Sequence, residues 1–165
     1  MSHFDPSGNA HMVDVSAKPI TVREAIATVE IEMAANTAAV IQSSSAAKGD
    51  VLAVARLAGI QATKLTSQLI PLCHAIPIES ASVDFDWRSA SPPSPDQTVL
   101  QCRVHVRTSA KTGVEMEAMT AASIAALTVY DMVKSIDRSI VIGPLVLAAK
   151  SGGNSGDFRR SDHRG

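Results

Sequence analysis

KTGVEMEAMTAASIAALTVYDMVK, residues 111–134, is the stretch around which the rest of the chain can be placed. It opens as a basic, glycine-containing loop and carries carboxylates at Glu115 and Glu117. It then continues as an alanine-rich segment of helical spacing that closes on Asp131 and Lys134. The apolar positions Met116, Met119, Ile124, Leu127 and Val133 are expected to face a core. The ionisable residues at the two ends need a further explanation. Glu117 and Asp131 return to nearly the same helix face, yet at the rise of an α-helix they stand about 21 Å apart. One small reacting centre in one chain cannot use both. Either only one of them acts, or a site is shared between subunits, one giving Glu117 and the other Asp131.

Working outward, the residues before this helix alternate: Leu100, Cys102, Val104 and Val106 against Gln101, Arg103, His105 and Arg107. The preceding run alternates too, with Ala81, Val83, Phe85 and Trp87 against Ser82, Asp84 and Asp86. Period two marks half-buried strands, and the Pro-rich segment 89–96 between them cannot continue either, so they pair as a hairpin with a long loop. Upstream, Asp50 of Lys48-Gly49-Asp50 opens another long helix, with Val51, Ala55, Ala58, Ala62, Leu65 and Leu69 as its apolar stripe and an end near Pro71. Thr21 and Glu24 have capping-box spacing, but the alternation through Ala25, Ala27, Val29, Ile31 and Met33 predicts a strand over Arg23–Met33. Asn36–Gln42 reads as a short helix, and His11–Val15 as a short strand or an extended arm in which Asp14 is a surface or turn residue. Beyond the central helix, the apolar run within 139–150 is a last strand in which Pro144 implies an edge or a bulge. The order strand, helix, strand, strand, helix, strand gives an α+β fold of ferredoxin-like β-α-β-β-α-β type, an antiparallel sheet with two long helices on one face. Residues 1–10 read as a flexible N-terminus, 11–150 as a single domain and the Gly-, Ser- and charge-rich 151–165 as a mobile tail.

With 165 residues, 45% hydrophobic and 19% charged, the chain is long and apolar enough for one substantial core. A net charge of −1 exerts no overall pull on nucleic acid or acidic membranes, so a polyanion would have to be held by a local pocket. Cys73 and Cys102 match no zinc or redox spacing, no metal or cofactor motif is present, and no secretory signal or membrane span precedes them. The expectation is a reduced, cytoplasmic protein. Aromatics make up 3% of residues, and a small aliphatic core of this kind favours oligomerisation as a way to bury more surface.

Several residues carry candidate chemistry. Asp131 and Lys134 are i,i+3 neighbours that by themselves make an ordinary ion pair. Inside an aliphatic stretch, a lysine in a poorly solvated pocket could instead have its pKa lowered for acid-base work. Lys48 and Lys111 lie in glycine-containing loops before helices, where anions are favoured, and with Arg23, Lys134 and Lys150 they could form a phosphate-binding cluster. Cys73-His74 lacks metal-ligand spacing, and adjacent side chains on an extended loop point apart. A buried thiol beside a hydrogen-bonding histidine is the plainer reading, with His74 kept as a substrate contact.

Four blocks, HMVDVSAKPITVREA, KGDVLAVARLAGIQATKLTSQLIPLCH, KTGVEMEAMTAASIAALTVYDMVKSID and IGPLVLAAKSGGNSGDF, closely resemble the molybdenum cofactor biosynthesis protein C (MoaC) family, the cyclic pyranopterin monophosphate synthases, from His11 to Phe158. The resemblance implies a phosphorus-oxygen lyase that converts 3',8-cyclo-7,8-dihydro-GTP into cyclic pyranopterin monophosphate with loss of pyrophosphate. It also implies a ferredoxin-like fold and a homo-oligomer, a hexamer built as a trimer of dimers, with pockets at a dimer interface. Carried over by motif, Asp131 and Lys134 of YDMVK and Lys48 of KGD are catalytic. Leu72, Cys73 and His74 of PLCH, with Glu115, Met116 and Glu117 of VEME, contact substrate. Arg23 and Lys150 match triphosphate contacts, as Lys111 does less closely. Ala75 stands where the family often has Pro, and Val133 where Cys is common, which bears on loop rigidity and packing rather than on any acid, base or cation. A ferredoxin-like module that binds a nucleotide or pterin without turning it over is the rival reading, and a purely scaffolding oligomer a third.

Overall fold

The computed structural model describes residues 6–90 and 94–161. Strand β1 (Thr21–Ala34) leads into the short helix α1 (Ala35–Gln42) and then the long helix α2 (Val51–Leu69). The hairpin β2 (Ser80–Ser89) and β3 (Gln97–Ala110) follows, then the second long helix α3 (Glu115–Val133), β4 (Val141–Ser151) and the two-residue β5 (Phe158–Arg159). The strands form one antiparallel sheet in the order β2-β3-β1-β4-β5. Its first four members have the ferredoxin-like order, and the fold is α+β as the element order implies. No helix among the described residues is long and apolar enough to cross a membrane.

At the start of β1 the local capping signal loses to the period-two pattern, for a reason of magnitude. A side-chain cap contributes about 1 kcal/mol. Burying each of Val29, Ile31 and Met33, all at most 2% exposed, contributes about 1.5–3 kcal/mol. The strand sits between β3 and β4 with Ala25, Ala27, Val29, Ile31 and Met33 inward. The bulge expected at Pro144 is present: the β1–β4 register shifts between Val29, opposite Leu145, and Ile31, opposite Ile142. The proline-bearing residues 91–93 of the hairpin loop lie outside the described residues.

The faces of the helices correct the sequence-based expectation. In α3 the buried line is Ala118, Ala121, Ala122, Ala125, Ala126, Val129 and Val133. Met116 and Leu127, expected to face the core, are exposed, while Met119 and Ile124 are half-buried. The cause is close approach on two sides, because α3 packs on β1, β3 and β4 and also along α2. Small side chains permit that approach. Opposite them lies Gly59 of α2, where a Cβ would stand 3.0 Å from Val83 Cγ2, 3.2 Å from the Ala121 carbonyl and 3.3 Å from Ala125 Cβ. Helix α2 buries Val51, Ala55 and Ala62 as expected, but also Thr63 and Thr66, whose hydroxyls donate to the carbonyls of Ile60 and Ala62. Leu69 turns outward.

At its N-terminus α2 is capped by Asp50, which accepts from the Ala53 amide at 3.0 Å. Residues 11–15 form an extended arm rather than a strand. At the other end of the chain, residues 152–157 fold back so that Phe158 and Arg159 pair with Lys150 and Ala149.

Candidate active site

The candidate side chains form two groups, one at each end of α3. At the C-terminal end, Asp131 stands between two ammonium groups: its Oδ1 is 2.6 Å from Lys134 Nζ and its Oδ2 is 3.0 Å from Lys48 Nζ. Lys48 also donates to the Asp131 carbonyl at 2.8 Å. Helical spacing supplies Lys134, while Lys48 comes from the loop between α1 and α2. The hydrogen bonds from Lys134 and Lys48, reinforced by their charges, hold the Asp131 carboxyl down at about 2. Reciprocally, Lys134 is raised, first by its hydrogen bond to Asp131 and then by that residue's charge. Within one chain Lys134 is therefore shifted opposite to the lowering that poor solvation would give. All three side chains are about half exposed, so the pairs contribute little to stability.

The N-terminal end of α3 opens on a cavity of about 420 Å³ lined by Leu72, Cys73 and His74 from the loop after α2, by Glu115, Met116 and Glu117, and by the extended arm. The arm forms its roof. His74 Nε2 lies 2.9 Å from the Val13 carbonyl, and Lys111 Nζ donates to the Ser16 carbonyl at 2.6 Å. Glu117 is 3% exposed; burial pushes its carboxyl up, its own backbone N–H opposes that, and the Glu115 charge adds to the rise. A second, smaller cavity reaches Glu117 and His74 from the side of α2. The Cys73 thiol is likewise raised, by burial and then by the charge of Glu117, so it is not prepared as a thiolate nucleophile.

A basic chamber of about 280 Å³ adjoins the main cavity and shares Lys18, Thr112, Gly113 and Glu115 with it. Arg23, 8% exposed, lies in its wall and donates to the carbonyls of Ala110, Lys111 and Gly152 at 3.3–3.4 Å. The guanidinium thus joins the Lys111 loop to the turn after β4. That turn needs glycine: Gly152 and Gly153 have φ of +89° and +80°, and a Cβ on Gly153 would run into the guanidinium. Lys150 pairs with Glu115 at 3.3 Å and donates to Ser155 Oγ at 2.9 Å.

The five cations singled out in the sequence therefore do not form one cluster within a chain. Lys48 and Lys134 gather around Asp131, whereas Arg23, Lys111 and Lys150 gather around the basic chamber near Glu115. Helix α3, with 19 residues, is about 28 Å long and separates the two groups. Sequence reasoning missed Lys18, which faces both cavities, and the roofing residues Val13 and Val15. Nothing in their spacing marks them, because only the tertiary contacts of the arm with His74 and Lys111 bring them there.

Fold and site together define a small ferredoxin-like protein with a half-enclosed cavity, a basic annex beside it and a separate Lys–Asp–Lys cluster. The model of the MoaC family matches residues 12–153, and the chain belongs to that family. It is 59% identical over 162 residues to the cyclic pyranopterin monophosphate synthase of Rhodopirellula baltica, covering 96% of this chain and 93% of that protein. It is 47% identical over 159 residues to the Bacillus subtilis protein of the same name, covering 96% and 91% of the two chains. With the Desulfitobacterium hafniense protein of that name it shares 50% identity over 163 residues, covering 99% and 96%.

Proposed function

We propose that this chain is a cyclic pyranopterin monophosphate synthase of molybdenum cofactor biosynthesis whose active sites are each built from two subunits. The observation that carries this reading is the division of the functional side chains between the two ends of α3, too far apart for one small substrate. One subunit gives the cavity. Leu72, Cys73, His74, Met116 and Glu117 hold the heterocycle of 3',8-cyclo-7,8-dihydro-GTP, with Glu115 at the passage to the basic chamber. Arg23, Lys111 and Lys150 receive the triphosphate. The partner subunit brings its own Lys48–Asp131–Lys134 cluster over that cavity. A hexamer arranged as a trimer of dimers in the cytoplasm supplies such interfaces.

The chemistry follows from the cluster. Asp131 keeps Lys134 protonated, so Lys134 enters as a proton donor with Lys48 beside it on the same carboxylate, and enclosure by a second subunit lowers the cost of releasing that proton. After giving up a proton, either lysine can accept one as the rings open and close. The cations of the basic chamber offset charge as the cyclic phosphate closes and pyrophosphate departs.

The test is to supply 3',8-cyclo-7,8-dihydro-GTP and measure cyclic pyranopterin monophosphate and pyrophosphate. Binding without conversion would favour the regulatory module instead. Lys48→Ala and Lys134→Ala should each abolish turnover while leaving the oligomer intact, and near-normal rates in both would refute their assignment.

A further inference from the structure

We propose that Asp137 is a positioning residue for the Lys48–Asp131–Lys134 cluster, tying the end of α3 to the start of α1 and so setting Lys48 against Asp131. The inference rests on the reading of that cluster as catalytic.

Asp137 lies three residues beyond Lys134 and is 7% exposed. Its backbone is locked to the last turn of α3, since the amides of Ile136 and Asp137 both donate to the Val133 carbonyl, at 2.9 and 3.0 Å. Its carboxylate reaches in two directions. Oδ1 accepts from the Ser139 amide at 2.9 Å and the Ser139 hydroxyl at 2.7 Å, closing the turn after α3. Oδ2 accepts from the Ala34 amide and the Thr37 hydroxyl, both at 3.1 Å. Ala34 is the N-cap of α1 and has no side-chain cap of its own. From the far end of the chain Asp137 takes the Ala34 amide, as the carboxylate of a capping box takes the N-cap N–H, while the Thr37 amide donates to Asn36 Oδ1 at 2.7 Å.

The consequence reaches Lys48. Helix α1 runs into the loop that carries this lysine, and the loop is braced at both ends. The Ser45 amide donates back to Val40 at 3.1 Å, the Gly49 amide to Ala46 at 3.0 Å, and Asp50 caps α2. Asp137 thus joins the helix end bearing Asp131 and Lys134 to the helix from which the Lys48 loop springs. Burial alone would raise its carboxyl, but the hydrogen bonds from Ser139, Ala34 and Thr37 outweigh this and hold it below the ordinary carboxylate range. The position requires an acid. An asparagine has one acceptor oxygen, so its amide nitrogen would face the donating N–H of either Ala34 or Ser139.

The experiment compares Asp137→Asn, Thr37→Val and Thr37→Ser with the wild-type oligomer. It reads kcat, KM and the ¹³C resonance of the Asp131 carboxylate at neutral pH, which reports its two ammonium contacts. Asp137→Asn should lower kcat about tenfold with KM within about twofold and should shift the Asp131 resonance. Thr37→Val, which removes one hydrogen bond, should lower kcat about threefold, with Thr37→Ser restoring it. Unchanged kcat in a folded Asp137→Asn, or lost kcat with the Asp131 resonance unmoved, overturns the proposal. Should Asp137→Asn fail to fold, the threonine pair decides, and a wild-type rate in Thr37→Val is then the refuting result. Normal turnover in Lys48→Ala and Lys134→Ala would sink the catalytic reading separately, while the resonance would still show whether Asp137 sets the cluster.

Discussion

Mixing two inactive variants puts the two-subunit site to a quantitative test. His74→Ala removes a cavity residue from the N-terminal side of α3, and Lys134→Ala removes an ammonium from its C-terminal side. Each homogeneous oligomer should be inactive. In a randomly co-assembled oligomer, a working site needs an intact cavity from one chain and an intact cluster from its neighbour. The active fraction is the product of the two mole fractions, about one quarter of wild type at equal mixing and falling symmetrically to either side. The spacing is what makes the number sharp: with about 21 Å of helix between Glu117 and Asp131, no single chain can contribute both groups to one substrate. The variants would be unfolded together, refolded and checked for mixed composition by native mass spectrometry before turnover is measured. Activity no greater than the sum of the separate variants, in verified mixed oligomers, would refute the shared site.

Three further outcomes are expected. Asp131 raises Lys134, so Asp131→Asn should move the basic limb of the kcat–pH profile to lower pH; a limb that stays put would mean that Lys134 is not the titrating group. Glu117 has its folded pKa raised above the ordinary glutamate value, so its contribution to stability is present below that ordinary value and lost as pH rises through the folded one. Glu117→Gln should therefore gain melting temperature relative to wild type as pH increases from 4 to 8 at fixed protein concentration, and a constant gap would contradict the burial argument. Gly59→Val should cost about 1–3 kcal/mol in chemical denaturation by overpacking the α2–α3 contact, and unchanged stability would show slack between the helices.

The fold was legible largely because it follows from periodicity. Alternation in β1, β2 and β3 encodes which faces are buried, and the hairpin loop and the bulge at Pro144 are marked by proline chemistry. The helix faces were less legible. Hydrophobicity points Met116 and Leu127 inward, but α3 is squeezed between a sheet and a second helix, where alanine fits and a long side chain does not. A scale of residue hydrophobicity contains no measure of how closely a neighbour approaches. Asp137 escaped notice for a similar reason: its partners Ala34 and Thr37 are near it only in space.

By itself the sequence determined the α+β order of elements, the candidate acids and cations, and the separation of Glu117 from Asp131. That last point needs only the rise of a helix. The tertiary structure alone decided how the cations divide: Lys48 joins Asp131 and Lys134, while Arg23, Lys111 and Lys150 stand around the basic chamber. It also turned Arg23 inward to hold three carbonyls. Such groupings depend on the sheet order and on the packing of α2 along α3, which bring together side chains as far apart in the chain as Lys48 and Asp131. Local spacing carries no information about contacts closed over so long a loop.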